Sequence, residues 1–279
     1  GPPGATRLFC GAAQRAPRRG PELSVPPSVV QGMPPLASAD PTLMGLPELV
    51  RHMREAGLRW RIEYPPFWEA AHARLRELRG ELRLADAARL SVVFASLRFV
   101  DLEMVDFCEA AVVEADADRL LDLDVAELTQ VAEAFGRMGR PRAVAAALRP
   151  VIGRAHRQEA GVLLRQLRVA AGAECKGAGE LADAASRSLV ERGAEAPGVL
   201  AALCELVAGL VAGGRCDAGP RSGADRLFRH VARRAREERE SFGPHLTELA
   251  DAAERAGCLR PSLKLLVAEQ AGDSRGGGG

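Results

Sequence analysis

The sequence predicts an all-α fold, an α-solenoid of about five helix-turn-helix repeats of roughly 37 residues each. Three observations predict it. Ala, Leu, Arg, Glu and Val dominate a chain that is 47% hydrophobic and only 4% aromatic, a composition that favours helix over strand. Apolar residues recur at i, i+3 and i+7 rather than at every second position. The same helix-and-breaker pattern then returns along the chain at near-constant spacing.

Two segments carry the clearest self-similarity. One runs Leu128-Thr129-Gln130-Val131-Ala132-Glu133-Ala134, then Arg137-Met138-Gly139 and Pro141. The other runs Leu246-Thr247-Glu248-Leu249-Ala250-Asp251-Ala252, then Arg255-Ala256-Gly257 and Pro261. Leu128, Val131 and Phe135 fall on one helical face, as do Leu246, Leu249 and Ala253. Gly139 and Gly257 stand where a helix end favours a left-handed residue, and the proline after each suits the next helix start. The template returns at Leu90, Leu164 and Leu200, and the Gly-rich stretch 213–220 lengthens the last interval as a loop. Each unit has a preceding helix, placed at 65–79, 104–119, 143–157, 179–192 and 224–241. One more helix, 47–57, leads the series and another, 261–271, closes it. One pair cannot bury its own apolar face, so neighbours must stack. A non-repetitive bundle of Ala/Leu-rich helices is the competing architecture.

The chain divides into an extended Pro/Gly/Arg-rich N-terminal arm (1–43), a helical repeat domain (44–271) and a Gly-rich tail (272–279). In the arm, Arg7, Arg15, Arg18 and Arg19 precede the first acid, Glu22. A basic, acid-poor start of this kind fits the remnant of an organellar transit peptide, although its prolines spoil an amphipathic helix. Such arms and tails gain order from neighbours, so a large multi-subunit assembly is the expected setting.

Basic and acidic residues balance at 38 and 37, for a net charge of +1. No global field draws the chain to nucleic acid or to an anionic membrane, so any such contact needs a local patch. Lys176 and Lys264 are the only lysines, which leaves Arg to make any phosphate or carboxylate contact. The cysteines (Cys10, Cys108, Cys175, Cys204, Cys216, Cys258) form no CxxC and no zinc spacing with histidine, which predicts buried or free thiols in a reducing compartment. The apolar run 199–212 contains Glu205 and is too short to span a bilayer. No phosphate-binding loop, HExxH or GxSxG is present, so no catalytic residues, cofactor or metal are expected and the chain is read as a non-enzyme.

The unit Leu123-Asp124-Val125-Ala126-Glu127-Leu128 through Phe135-Gly136-Arg137-Met138-Gly139, with 84–98 beside it, resembles the heptatricopeptide-type repeats found beside RAP domains. FAST-kinase-domain proteins and octotricopeptide repeats are similar. The resemblance covers 65–271, and no RAP-like segment follows the last unit. It implies a non-catalytic binding or architectural role. The expected setting is an organellar ribosome or RNA-protein assembly, mitochondrial rather than chloroplast, with rRNA or other organellar RNA and neighbouring proteins as partners. The alternative is a structural accessory subunit of a respiratory complex or ATP synthase without RNA contact, which the charge balance favours.

Three Arg groups are the candidate RNA contacts. Arg226, Arg229, Arg233 and Arg236 recur at helical spacing and form one stripe, read either as phosphate contacts or as a solvated face offset by Glu237, Glu238 and Glu240. Arg149, Arg154 and Arg157, with Arg165 and Arg168, span one helix pair, and some of them are expected to converge at its turn. Arg15, Arg18 and Arg19 form the third group. Trp60, Tyr64, Phe67 and Trp68 surround the Pro65-Pro66 corner, as core or as a partner patch.

Overall fold

A computed structural model of the chain describes residues 40–62, 64–97, 100–193 and 195–276. Every regular element among them is helical. The main helices are α1 (Leu46–Arg54), α2 (Pro65–Glu77), α3 (Leu84–Phe94), α4 (Leu102–Val113), α5 (Val125–Arg137) and α6 (Pro141–Ile152). They continue as α7 (Ala160–Gly172), α8 (Ala178–Arg192), α9 (Pro197–Ala212), α10 (Gly223–Glu237), α11 (Leu246–Arg255) and α12 (Pro261–Gly276).

The starts follow local chemistry. Proline opens α2, α6, α9 and α12, where its missing N–H costs nothing. Asp101 caps α4, Ser222 caps α10, and Asp124 caps α5 in a reciprocal box with Glu127.

The helices pack in an alternating order. α3 lies against α1 and α5, α7 against α5 and α9, and α11 against α9. The even helices do the same: α6 packs on α4 and α8, and α10 on α8 and α12. Sequential helices close the gap between the two series, as α3 does with α4 and α5 with α6. One apolar core runs between them from Met44 to Leu266. Leu128, Val131 and Phe135, the predicted face of α5, are at most 2% exposed, and each contributes about 1.5–3 kcal/mol of burial.

A single turn recurs behind α5, α7, α9 and α11. Gly139, Glu174, Gly214 and Gly257 hold φ of 70°, 51°, 67° and 65°. The next amide then reaches back five residues: Arg140 to the Phe135 carbonyl, Cys175 to Ala170, Arg215 to Leu210 and Cys258 to Ala253, at 2.8–3.3 Å. This satisfies carbonyls that the helix end leaves open and reverses the chain. Nothing lies within 4 Å of a Cβ built on Gly139, Gly214 or Gly257, so glycine serves backbone conformation there and not space. At Gly223 the reason is space: a Cβ would stand 2.8 Å from the Asp183 Cα, so the bare backbone lets α10 close on α8.

Several expected boundaries move. The helix placed at 104–119 ends at Val113, and a separate turn occupies Ala117–Leu120. The one placed at 143–157 ends at Ile152, followed by a tight turn at Ala155–Arg157. The one placed at 224–241 stops at Glu237, where Glu238 leaves helical geometry at φ −123°, ψ 47°. The expected tail start at 272 lies inside α12, which continues to Gly276. At the other end a capped turn, Pro41–Leu43, precedes the expected body; Pro41 is buried and Asp40 accepts from the Thr42 amide. Helix 47–57 becomes α1 followed by a wider turn, Glu55–Arg59, that buries Gly57 against Val93 and Trp68.

The aromatic corner is core. Phe67 and Trp68 are buried, and the Trp68 indole donates to the Ile62 carbonyl at 2.7 Å. Trp60 and Tyr64 are half-buried against them. A ring ladder runs His52, Phe67, Trp68, His72, Phe94, with centroids 4.9–6.1 Å apart. Burial, the largest effect at both histidines, holds His52 and His72 below their ordinary value of 6.5.

Two predictions follow from this packing. Gly139→Ala forces a side chain into the left-handed region at a cost of roughly 1–2 kcal/mol, so the midpoint of thermal unfolding falls by about 2–6 °C. Glu174→Gly relieves the same penalty and raises it by about 1–2 °C, less the glycine entropy. The second concerns acid. Because the folded state keeps His52 and His72 neutral, their contribution is complete above pH 6.5 and declines as pH falls below it. Melting curves between pH 8 and pH 5 should therefore drop less for the His52→Leu, His72→Leu double variant than for the parent.

Candidate nucleic-acid interface

Arg226, Arg229, Arg233 and Arg236 all stand exposed on α10, away from the buried Leu227, Phe228, Val231 and Ala235. The stripe is real in geometry and about 15 Å long at 1.5 Å per residue. Its four guanidinium groups are not equivalent. Arg226 donates twice to the Arg221 carbonyl, at 3.1 and 2.9 Å. Arg229 is paired with Asp225. Arg233 lies 3.3 Å from the His230 Nδ1. Burial first, and then the Arg233 and Arg234 charges, keep that imidazole below its usual value and hence able to accept. Arg236 has no partner among the described residues. Arg233 and Arg236 are therefore the most available donors on the face.

Arg234 interrupts the basic run in sequence but turns inward and is 9% exposed. It donates to both Glu238 oxygens at 2.8 and 2.5 Å and to the Glu195 carbonyl at 2.6 Å. Its guanidinium also stands 5.5 Å from the Phe242 ring. Holding Glu238 this way ends α10 and seats the following turn, Arg239–Phe242.

Asp225 organises the base of the stripe. It is 5% exposed and receives Arg229, Arg260 and the Arg221 amide. The hydrogen bond from Arg229 is the main cause that holds its carboxyl below the ordinary value, with Arg260 adding to it. The neighbouring face, on α8, carries Glu180, Asp183, Arg187 and Glu191 at one helical spacing, all at least partly exposed. The basic stripe thus lies beside a predominantly acidic face.

Only part of the second Arg group comes together: Arg154, Arg157 and Arg165 border one groove, and Arg149 lies apart from it. Arg149 faces outward from α6 and borders a shallow cleft of about 200 Å³ with Lys176 and Glu180. Arg154 and Arg157 sit beyond the end of α6 and border a different groove with Arg165. The separation arises because α6 stops at Ile152 and the chain turns before Arg154. Arg154 donates to the Leu121 carbonyl at 3.2 Å, Arg157 to the His156 Nε2 at 3.1 Å, and Arg165 is clamped on both Glu133 oxygens. Arg168 is exposed on α7. Arg15, Arg18 and Arg19 lie outside the described residues.

Sequence reasoning missed the polar set beneath the second groove. Gln166, 0% exposed, donates to the Thr129 hydroxyl at 2.8 Å and to the Gln158 carbonyl oxygen at 2.7 Å. Thr129 donates to the Val125 carbonyl, and the Gln158 amide to the Val151 carbonyl. The signal was present: Gln166 occupies a core position between Leu163 and Leu167 and Ala170, and a buried amide there must find partners.

Among the described residues no group of three or more His, Cys, Asp or Glu side chains is placed to hold a metal ion. Among the described residues no helix is long and apolar enough to cross a membrane. The described cysteines are free thiols. Burial pushes Cys108 up to about 12 and Cys216 up to about 11, which makes both poor nucleophiles at neutral pH. No protein-family model matches this chain, and no curated protein matches it.

Asp225→Asn strips the counter-charge from two arginines in a buried position. After allowance for the half-exposed Arg229, stability falls by about 2 kcal/mol, or about 4–8 °C in the melting midpoint. Because the folded-state carboxyl titrates below 3.8, the parent keeps this contribution above that value and loses it as pH falls further. The variant should show a smaller acid-induced loss than the parent.

Proposed function

We propose that this chain is an α-solenoid of about five helix-turn-helix repeats that serves as a non-catalytic scaffold in an organellar ribonucleoprotein assembly. A mitochondrial ribosome in the matrix is the setting that the repeat resemblance favours. The alternating packing of helices and the recurring left-handed turn support the repeat reading. The observation that carries the RNA reading is the exposed stripe on α10, in particular Arg233 and Arg236, whose guanidinium groups have no carboxylate partner among the described residues.

In this reading the stripe meets consecutive phosphates of a single strand or of one edge of a helix. Arg suits the task because its planar fork offers paired donors. Such contacts position the protein and read no sequence. Arg229 supports the face from below through Asp225 and contributes less to binding. The rest of the surface, with acids interspersed among arginines as on α8, packs on neighbouring proteins.

The second reading is an accessory subunit of a respiratory complex or ATP synthase, with protein partners alone. The acidic α8 face beside the stripe favours it, since acids there repel a passing phosphate backbone.

Binding of a short single-stranded RNA by fluorescence anisotropy across a salt series separates the two. Arg233→Glu with Arg236→Glu should weaken binding and reduce the salt slope by about 0.7 per lost phosphate contact. Arg142→Glu, exposed on α6, is the control and should change little. Equal binding by all three proteins, or crosslinks from α10 to protein only in the native assembly, would overturn the RNA reading.

A further inference from the structure

We propose that the groove bordered by the start of α5, the turn after α6 and the start of α7 is a binding site for a small organic anion, a carboxylate or phosphate head on an apolar body. The proposal is independent of the RNA reading and uses different residues from the α10 stripe.

The groove encloses about 480 Å³, within the range of small-molecule sites. Val125, Ala126 and Val162 give it an aliphatic patch, and the buried Thr129 and Gln158 complete its lining. Its rim carries Arg154, Arg157 and Arg165. Arg165 is committed to Glu133 by a two-point clamp and acts as a wall. Arg154 spends one N–H on a backbone carbonyl, and Arg157 spends its Nε–H on His156. A guanidinium has five N–H donors, so both keep most of theirs for a ligand. Two arginines beside an aliphatic patch describe a head group and a tail.

Two further features fit an anion. The first turns of α5 and α7 both border the groove; that of α5 is capped by Asp124 and Glu127, whereas that of α7 has no side-chain cap and presents the positive end of a helix dipole there. The turn that carries the arginines is also held in place. Gln158, 6% exposed, anchors it through its amide to the Val151 carbonyl and through its oxygen to Gln166, which in turn holds Thr129 of α5. A buried polar chain that costs desolvation at every member fixes α5, α7 and the turn in one register. Glu159 is the one acid on the rim, so the local balance stays positive.

A nucleobase is a poorer fit. No aromatic ring lines the groove, and unstacked bases are held mainly by stacking on aromatic side chains. Its lining is aliphatic and polar: Val125, Ala126 and Val162 beside Thr129 and Gln158.

Calorimetric titration of the intact chain with decanoate and with decyl phosphate tests the proposal, with 1-decanol and inorganic phosphate as the tail-only and head-only probes. Decanoate or decyl phosphate should bind at one site, at least tenfold tighter than either partial probe. Octanoate should bind about fourfold more weakly for each buried methylene it lacks. Arg154→Gln with Arg157→Gln should weaken decanoate at least tenfold. Ala126→Phe, at an exposed floor position, should block decanoate while leaving the arginines in place. Circular dichroism and melting establish that both variants are folded, and methyl shifts at Val125 and Val162 report the site if one variant is not. Equal affinity for decanol and decanoate, unchanged binding by both folded variants, or binding only to anionic phospholipid vesicles and not to monomeric decanoate would each overturn it.

Discussion

Behind α5, α7, α9 and α11 one residue takes a left-handed conformation, and the following amide reaches back to close the helix end. This turn sets the direction in which the chain leaves each helix, and the alternating packing depends on it. A straight continuation would carry the chain off the core. The reversal returns the next helix against the one it follows, where its apolar face can be buried. The near-absence of contacts around Gly139, Gly214 and Gly257 shows that backbone conformation, not space, selects glycine there. Glu174 fills the same role with a side chain and bears the strain.

Charge in this molecule is largely spent on itself. Arg140 bridges Asp106 and Glu109, Arg165 holds Glu133, Arg255 holds Glu205, and Asp225 gathers Arg229 and Arg260. Most of these pairs join different helices, so they order neighbours and leave little net field. Exposed pairs of this kind contribute little each. The exceptions are buried partners such as Asp225 and Arg234, which fix where α10 starts and stops. Arg233 and Arg236 on one face and Arg154 and Arg157 at another keep spare donors at two separate places.

The buried polar residues divide by how well they are satisfied. Gln166 donates to Thr129 and Gln158, which donate onward to the Val125 and Val151 carbonyls, while the Gln166 oxygen stays unpaired, and a chain like this specifies register more than it adds stability. His52 and His72 sit among rings with ring nitrogens unpaired. They remain compatible with the core only while neutral, which ties the first helices to pH.

Local rules in the sequence determined the helical class, the apolar faces of α5 and α11, the proline starts and the left-handed turns at Gly139 and Gly257. These depend on residues a few positions apart, so periodicity and turn chemistry suffice to read them. The weaker third unit was hard to read because Glu174 stands where its counterparts have glycine. The helix ends at Ile152 and Glu237 coincide with side-chain contacts that periodicity does not reveal, Gln158 on Val151 and Arg234 on Glu238, of which only Arg234 on the Glu195 carbonyl reaches across the fold. The end of α6 separated Arg149 from Arg154 and Arg157, Glu238 and the Glu195 carbonyl turned Arg234 inward, and Asp225, one turn earlier on α10, committed Arg229. A count of arginines along the chain carries none of that information, because a guanidinium's availability depends on carboxylates and carbonyls brought to it from other helices.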